Sequence, residues 1–250
     1  GLALNEAVQS PEGTEPGTLR TGLRALRPRF VRGCGGEILD VVIPAEELCI
    51  TANALARLHT STVLPTGAPR SGAGEAKRAR DRAALIAAHN SAQAAAAQGL
   101  ADQLAAGLDA LQPDAYRPAH GGFKASQLLF HSQRVFVVDF DGFCLADPAL
   151  DVGYFLAYLR PSGLWYHRPG MRRWFEASAA SFVNAYRQAL RKRGTEEATI
   201  DGILQRTRLY EAAFLFKIAT RRVNRLNSPR PGELSSMLAE IAACLTSPVN

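Results

Sequence analysis

The sequence predicts a mainly α-helical protein with one small β-hairpin. Apolar residues recur at helical spacing over several long segments, and an alanine-rich stretch of strong helix formers runs through the first half. Only one place offers two short apolar runs around a tight connection, at 128–138. The chain has 250 residues, 47% of them hydrophobic, which is enough for a sizeable core in one large domain or a domain with an accessory piece.

From the N-terminus, Gly1 to Val8 reads as a short strand and Gln9 to Gly17 as a loop. Leu19 to Leu26 suits a short helix, and basic, glycine-rich Arg27 to Gly36 reads as irregular. Ile38 to Ile43, β-branched and bounded by Gly36 and Pro44, is a short strand or extended segment. Pro44 to His59 is a helix, with Leu48, Ala52, Leu55 and Ala56 along one face. Thr60 to Gly74 holds three glycines and two prolines and is a loop. Glu75 to Leu111 is helical, with a stripe of Leu100, Leu104, Leu108 and Leu111, and Gly99 is the expected break. Leu128–Phe130 and Val135–Val138 pair as the hairpin, turning at His131-Ser132-Gln133. Beyond Asp147-Pro148 the chain is helical, because proline fits a first helical turn whose N–H would be unpaired. One later helix carries Phe175, Ala179, Phe182, Tyr186 and Ala189. Another carries Leu209, Ala213, Phe216, Thr220 and Val223, and Leu234–Leu245 makes the last.

The formal charge of +6 and a pI near 9.4 favour anionic partners without choosing among them, and a plain basic protein has the same balance. Cys34, Cys49, Cys144 and Cys244 form no CxxC pair, which argues against a zinc site. Cys49 and Cys244 sit in apolar helical settings and read as buried thiols, so a cytoplasmic, reducing compartment is expected. No apolar run is long enough to span a bilayer, so no membrane partner is expected. Trp165, Tyr166 and Trp174 read as core or cover residues, and without a DNA- or RNA-binding signature nucleic acid is not an expected partner. Lys217, Arg221 and Arg225 fall four apart on one helix face. They make a solvated basic face or, alternatively, part of a cleft for an anionic partner. Gly72-Ala73-Gly74 offers a GxG, but no strand precedes it and no GK[ST] follows, so it is not a phosphate loop.

Polar residues crowd the hairpin. His120-Gly121-Gly122-Phe123-Lys124-Ala125-Ser126-Gln127 leads into it and Asp139-Phe140-Asp141-Gly142 follows it. A loop that supplies a base and a metal ligand, with a second carboxylate after the next strand, is the arrangement phosphoryl transfer needs. An aspartate directly after four apolar strand residues reads as a site at a strand end, against the plainer reading of a solvated acidic loop. His120 reads as a packed loop residue donating to backbone, His59 as a partner of the last carbonyls of its helix, and His131 as exposed.

These segments resemble the protein-kinase pattern H-R-D-L-K-x-x-N followed by D-F-G. They are more similar still to H-G-D-x-x-x-x-N followed by I-D-F-D in the aminoglycoside/choline phosphotransferase family. The similarity extends through Asp147-Pro148-Ala149-Leu150-Asp151 and back to Ala54–His59, and is most specific over about 115–160. The resemblance implies the C-terminal lobe of the protein-kinase-like fold over residues 9–250. Residues 1–8 would be a hinge strand from an N-lobe missing from this chain, with Asn5, Glu6, Ala7 and Val8 bordering adenine. It implies ATP and Mg²⁺ as cofactors and an unidentified small hydroxylated acceptor, such as an aminoglycoside-like compound. By the same resemblance Asp139 is the principal Mg²⁺ ligand, Lys124 meets the transferring phosphate, and Asp151 and His120 are structural at the site.

Two positions depart from the family. Gly122 stands where the catalytic aspartate belongs, with Asp141 a conceivable stand-in, and Gln127 stands where the metal-binding asparagine belongs, its amide oxygen one methylene further out. The alternative is therefore a pseudokinase that binds nucleotide or a partner protein without chemistry, and a third reading is a basic helical module for nucleic acid.

Overall fold

The computed structural model describes residues 19–113, 115–161, 163–224 and 230–246. Strand β1 (Arg20–Thr21) leads into one turn of helix, α1 (Gly22–Ala25), then β2 (Arg29–Arg32), β3 (Ile38–Val42) and α2 (Ala45–His59). Helices α3 (Gly72–His89) and α4 (Ala94–Asp109) precede β4 (Arg117–Ala119), β5 (Leu128–His131), β6 (Arg134–Val137) and β7 (Cys144–Ala146). The remainder is helical: α5 (Ala149–Leu159), α6 (Met171–Lys192), α7 (Glu197–Asn224) and α8 (Leu234–Thr246).

Three small antiparallel sheets result. The expected hairpin, β5–β6, pairs Leu128 with Val137 and gains β1 as a third strand beside β5. Strands β2 and β3 form a second hairpin, so Arg27–Gly36 is not irregular as expected. Its strand side chains are largely solvent-exposed, which leaves no apolar alternation to read. Strands β4 and β7 pair Ala119 with Cys144 across the hairpin between them. The helix expected over Leu19–Leu26 is cut to Gly22–Ala25 because the preceding pair joins β5. The strand expected at Gly1–Val8 and the loop at Gln9–Gly17 lie outside the described residues.

The helices follow their apolar faces. In α2, Leu48, Ala52, Leu55 and Ala56 are all buried. α3 begins inside the expected loop, at Ser71, whose side chain accepts from Gly74 N at 3.2 Å as an N-cap. The break in the alanine-rich segment falls at Asn90, which leaves helical geometry (φ −151°, ψ 87°), and not at Gly99. Gly99 lies within α4, exposed and flanked by good helix formers. A helical glycine costs about 1 kcal/mol, too little to stop that run. α5 is buried nearly all round, packed against α7. Cys244 is buried as expected, but Cys49 is on the solvent side of α2 and exposed.

Candidate active site

The β4–β7 pairing sets the loop after β4 against the turn after β6. At Gly121 (φ +74°) an added Cβ would lie 2.1 Å from the Gly142 carbonyl oxygen, so both the backbone and the space there require glycine. Gly122 differs. Its φ is not positive, and an added Cβ would lie 3.8 Å from its nearest neighbours, the amide of Gln127 and Nδ1 of His120.

Asp151, in the first turn of α5, holds this loop. Its Oδ2 accepts from His120 N at 2.6 Å and its Oδ1 from Gly121 N at 2.9 Å, all buried. His59 Nε2 lies 3.3 Å from Asp151 Oδ2, and His59 Nδ1 lies 2.6 Å from the Tyr186 hydroxyl. With the proton on Nε2, each donor meets an acceptor: Tyr186 donates to Nδ1 and Nε2–H donates to Asp151. Burial, then Asp151 and Asp147, raises the Tyr186 pKa well above its ordinary value and keeps it a donor. His59 thus braces the brace, in place of the expected contact with the last carbonyls of α2.

A second support comes from Arg70, whose Nη1 donates to Gly121 O at 2.8 Å and whose backbone N–H donates to Leu145 O. Its Nε pairs with fully buried Glu75 at 2.6 Å, and Arg78 joins the same carboxylate oxygen. Burial works to raise the Glu75 pKa, but Arg70 and Arg78 outweigh it and hold the carboxyl below its ordinary value. Buried Asp147 accepts from Arg206 Nε at 2.6 Å and from Ala149 N at 3.0 Å. Neither ion pair was legible in the sequence. Asp147 stands out in the sequence before Pro148, but its partner sits 59 residues on.

His120 Nε2 reaches Val138 O at 3.0 Å, so its N–H donates to backbone. Its Nδ1 is buried without a partner beside Gly122. Gln127 is buried, and its Nε2 donates to Asp139 Oδ2 at 2.5 Å. Gln127 Oε1 has no partner. Asp139 adopts left-handed backbone geometry (φ +68°) at the end of β6, which turns its exposed carboxylate to Gln127. The structure therefore brings Gly122, His120, Gln127, Asp139 and Asp151 together. Lys124 is half-buried, with Nζ 5.8 Å from the ring centroids of both Tyr154 and Tyr158. Burial and Arg221 lower its pKa against the opposing pull of Asp139. Asp141 is exposed on its turn, and its side chain hydrogen-bonds to none of these residues. His131 is half-buried, not exposed. Asn5, Glu6, Ala7 and Val8 lie outside the described residues.

Lys217 does not lie on a solvated face. It is half-buried against α5, its Nζ 3.1 Å from the Tyr154 hydroxyl, and exposed Arg221 reaches the Tyr158 hydroxyl at 3.2 Å. Arg225 lies outside the described residues. A cleft of about 710 Å³ elsewhere, lined by Arg160, Phe175, Glu211 and Cys244 among others, contains no residue of the loop. Among the described residues no group of three or more His, Cys, Asp or Glu is placed to hold a metal, and no helix is long and apolar enough to cross a membrane.

A mainly helical body carrying small antiparallel sheets, with a braced glycine loop facing a strand-end aspartate, is the architecture of kinase-like phosphotransferases. A solved glucosamine kinase structure is similar with a TM-score of 0.60 and 21% identity, over 81% of this chain and 53% of that one. An amicoumacin kinase in complex with AMP-PNP, Ca²⁺ and Ami matches with a TM-score of 0.58 and 13% identity, over 89% and 63%. A choline/ethanolamine kinase family protein from Mesorhizobium loti matches with a TM-score of 0.56 and 13% identity, over 92% and 82%. The chain spans about half the length of the glucosamine kinase chains it matches. None of the curated proteins compared with it matches. Residues 2–200 match the phosphotransferase enzyme family, APH, and the chain belongs to that family.

Proposed function

We propose that this chain is the C-terminal lobe of an ATP-dependent phosphotransferase acting on a small hydroxylated acceptor. The observation that carries the reading is the Gln127–Asp139 pair set beside the Asp151-braced loop. Membership of the family supports it, as do fold neighbours solved in complex with ADP or AMP-PNP. Four unpaired cysteines suit a reducing, cytoplasmic setting.

The residues fit Mg²⁺. One carboxylate and one amide are hard oxygen donors, the buried Gln127 Oε1 lacks a partner and would face Asp139 once the amide turns over from its present Nε2–Asp139 contact, and this cation keeps several waters and needs few protein ligands. Asp139 and Gln127 would hold it. When bound, it neutralises charge on the nucleotide phosphates. Lys124, near enough to Asp139 to feel its charge, would add a positive charge for the transferring phosphate. Asp151 and Arg70 fix the loop's N–H groups and the Gly121 carbonyl, so the loop does not have to be ordered when substrate arrives. Gly122 offers no group to accept the acceptor's proton. Phosphoryl transfer relies chiefly on positioning and charge neutralisation, so this absence slows the reaction without forbidding it.

The test is ATP turnover by the full-length protein in wild type, Gly122→Asp and Gly122→Asp/Asp139→Ala. A Cβ at Gly122 meets only ordinary contacts, so the single variant should gain, by up to ~10²–10⁴-fold, what a general base supplies. The double variant should lose that gain. A fast wild type slowed by Gly122→Asp would show that another residue is the base. No turnover in any variant would favour a pseudokinase that binds nucleotide or a partner.

A further inference from the structure

Beside the loop, cations converge with no described carboxylate in ion-pair contact, Asp139 acting on Lys124 only from a distance. Tyr154 and Tyr158, one turn apart on α5, stack with centroids 4.9 Å apart and planes 13° from parallel. Lys217 and Arg221, one turn apart on α7, each hydrogen-bond to one of these hydroxyls. Lys124 approaches the same two rings from the loop. Half-buried or packed cations elsewhere, such as Arg70, Arg160, Arg187 and Arg206, have a carboxylate within ion-pair distance, but among the described residues none pairs with Lys124, Lys217 or Arg221. Arg82, whose Nη1 is spent on the Ala213 carbonyl, and Arg70 add to the positive field at Lys217. Burial first, then Arg221, Arg82, Arg70 and Lys124, brings the Lys217 pKa down to about 8.

Crowding like charges in a half-buried place opposes folding. A single acidic neighbour would relieve it, and Glu75, the buried acid on α3, is taken up by Arg70 and Arg78. The arrangement is complementary to an oxyanion brought from outside. The two tyrosines fix the lysine and arginine on a rigid stack, so little side-chain entropy is lost when an anion arrives.

We propose that Lys217 and Arg221, seated on the Tyr154–Tyr158 stack beside Lys124, form a subsite for an anionic group, carboxylate or phosphate, on the acceptor. The inference rests on the phosphotransferase reading only in naming the ligand an acceptor. Lys124 lies between this subsite and Asp139, whose field it feels, so an anion held by Lys217 and Arg221 would leave the rest of its molecule toward the loop. Acceptors rich in ammonium groups, the aminoglycoside-like compounds that the family resemblance suggests, would meet like charge here.

A matched set on one sugar ring tests this: glucuronate and glucose 6-phosphate as anions, glucose as the neutral form, glucosamine as the cation. Binding is measured by calorimetry at low salt, with and without Mg·AMP-PNP, in wild type, Lys217→Met, Arg221→Gln and Lys192→Gln. Lys192 is an exposed cation of α6 that controls for net charge. Both anionic sugars should bind wild type at least about tenfold tighter than glucose, with glucosamine weakest, the scale expected of a charge-assisted hydrogen bond. Lys217→Met and Arg221→Gln should each remove most of that preference and leave glucose binding unchanged, while Lys192→Gln changes nothing. Glucuronate and Mg·AMP-PNP should bind together. Comparison of glucuronate with glucose 6-phosphate tells carboxylate from phosphate. Equal binding of all four sugars, or an equal loss in Lys192→Gln, overturns the subsite. So does displacement of glucuronate by Mg·AMP-PNP, coupled to lost nucleotide affinity in Lys217→Met, because the cations would then serve the nucleotide. Anionic sugars held through Lys217 with no Mg·AMP-PNP binding at all would uphold the subsite and overturn the phosphotransfer reading. Arg221 is exposed and Lys217→Met removes a buried charge, so loss of fold is not expected, and thermal melts of each variant check it.

Discussion

Two adjacent glycines do different work. Gly121 is fixed by geometry, with a left-handed φ and the Gly142 carbonyl where a side chain would be. Gly121→Ala should therefore lower stability by about 1–3 kcal/mol and loosen the loop, because both the backbone conformation and the contact resist a methyl group. Gly122→Ala should leave stability within about 0.5 kcal/mol of wild type, since the added atom meets only ordinary contacts. Denaturant melts of the two variants check the contrast, and equal losses would mean the two positions share one constraint. The sequence displayed both glycines but not this difference, because φ and the approach of Gly142 depend on the β4–β7 pairing. The same holds for His59. Local position suggested contact with its own helix end, whereas Tyr186 and Asp151 lie 127 and 92 residues away in sequence.

At the scale of elements, the long helices were legible because their apolar stripes are long enough to average over exceptions. Strands β2, β4 and β7 were not, since β2 carries mostly exposed side chains and β4 and β7 are only three residues long, without the apolar runs that marked β5 and β6. The packing of α5 on α7 was hidden as well. The helices meet closely at Gly153, where an added Cβ would fall 2.6 Å from the Glu211 backbone nitrogen. About two turns beyond that contact, at the C-cap of α5, buried Arg160 donates to Glu211 Oε1 from Nε at 3.1 Å and from Nη2 at 2.5 Å. Its guanidinium also lies over the rings of Phe175 and Tyr166. Glu211→Gln keeps the shape but leaves the guanidinium without a carboxylate, and should cost about 3–5 kcal/mol. The paired Arg160→Met/Glu211→Leu variant should recover most of that loss, because two apolar groups need no desolvation of charge. A double variant as unstable as the single one would mean the helix contact, not the charge pair, sets the cost.

Across the whole molecule, two buried groups at separate places make stability depend on pH in opposite directions. Glu240 of α8 accepts from Gly163 N at 3.0 Å. Burial, with Glu211 and Glu233 nearby, raises its pKa to about 7 against the opposing effects of Arg160 and that N–H. The unfolded chain ionises Glu240 near 4.5 while the folded protein keeps the proton, so its contribution is fully present below that value and is lost as pH rises to about 7. Lys217 behaves inversely. Its folded pKa, about 8, lies below the ordinary 10.5, so between those values the unfolded chain holds the extra proton and stability rises with pH. The two contributions are therefore both at their lowest between about pH 7 and 8. Glu240→Gln should gain stability over wild type as pH climbs from 5 to 7.5, by up to ~3 kcal/mol, and hold that gain beyond. Lys217→Met should show its full advantage at pH 5, nearly the same advantage at pH 7.5, and lose most of it by pH 10, and an anion on the Lys217 subsite should shrink that advantage by holding the ammonium charged. Urea melts of the three proteins at pH 5, 7.5 and 10 read these differences directly. Variant curves that run parallel to wild type at all three values would show that neither group is shifted as its surroundings require.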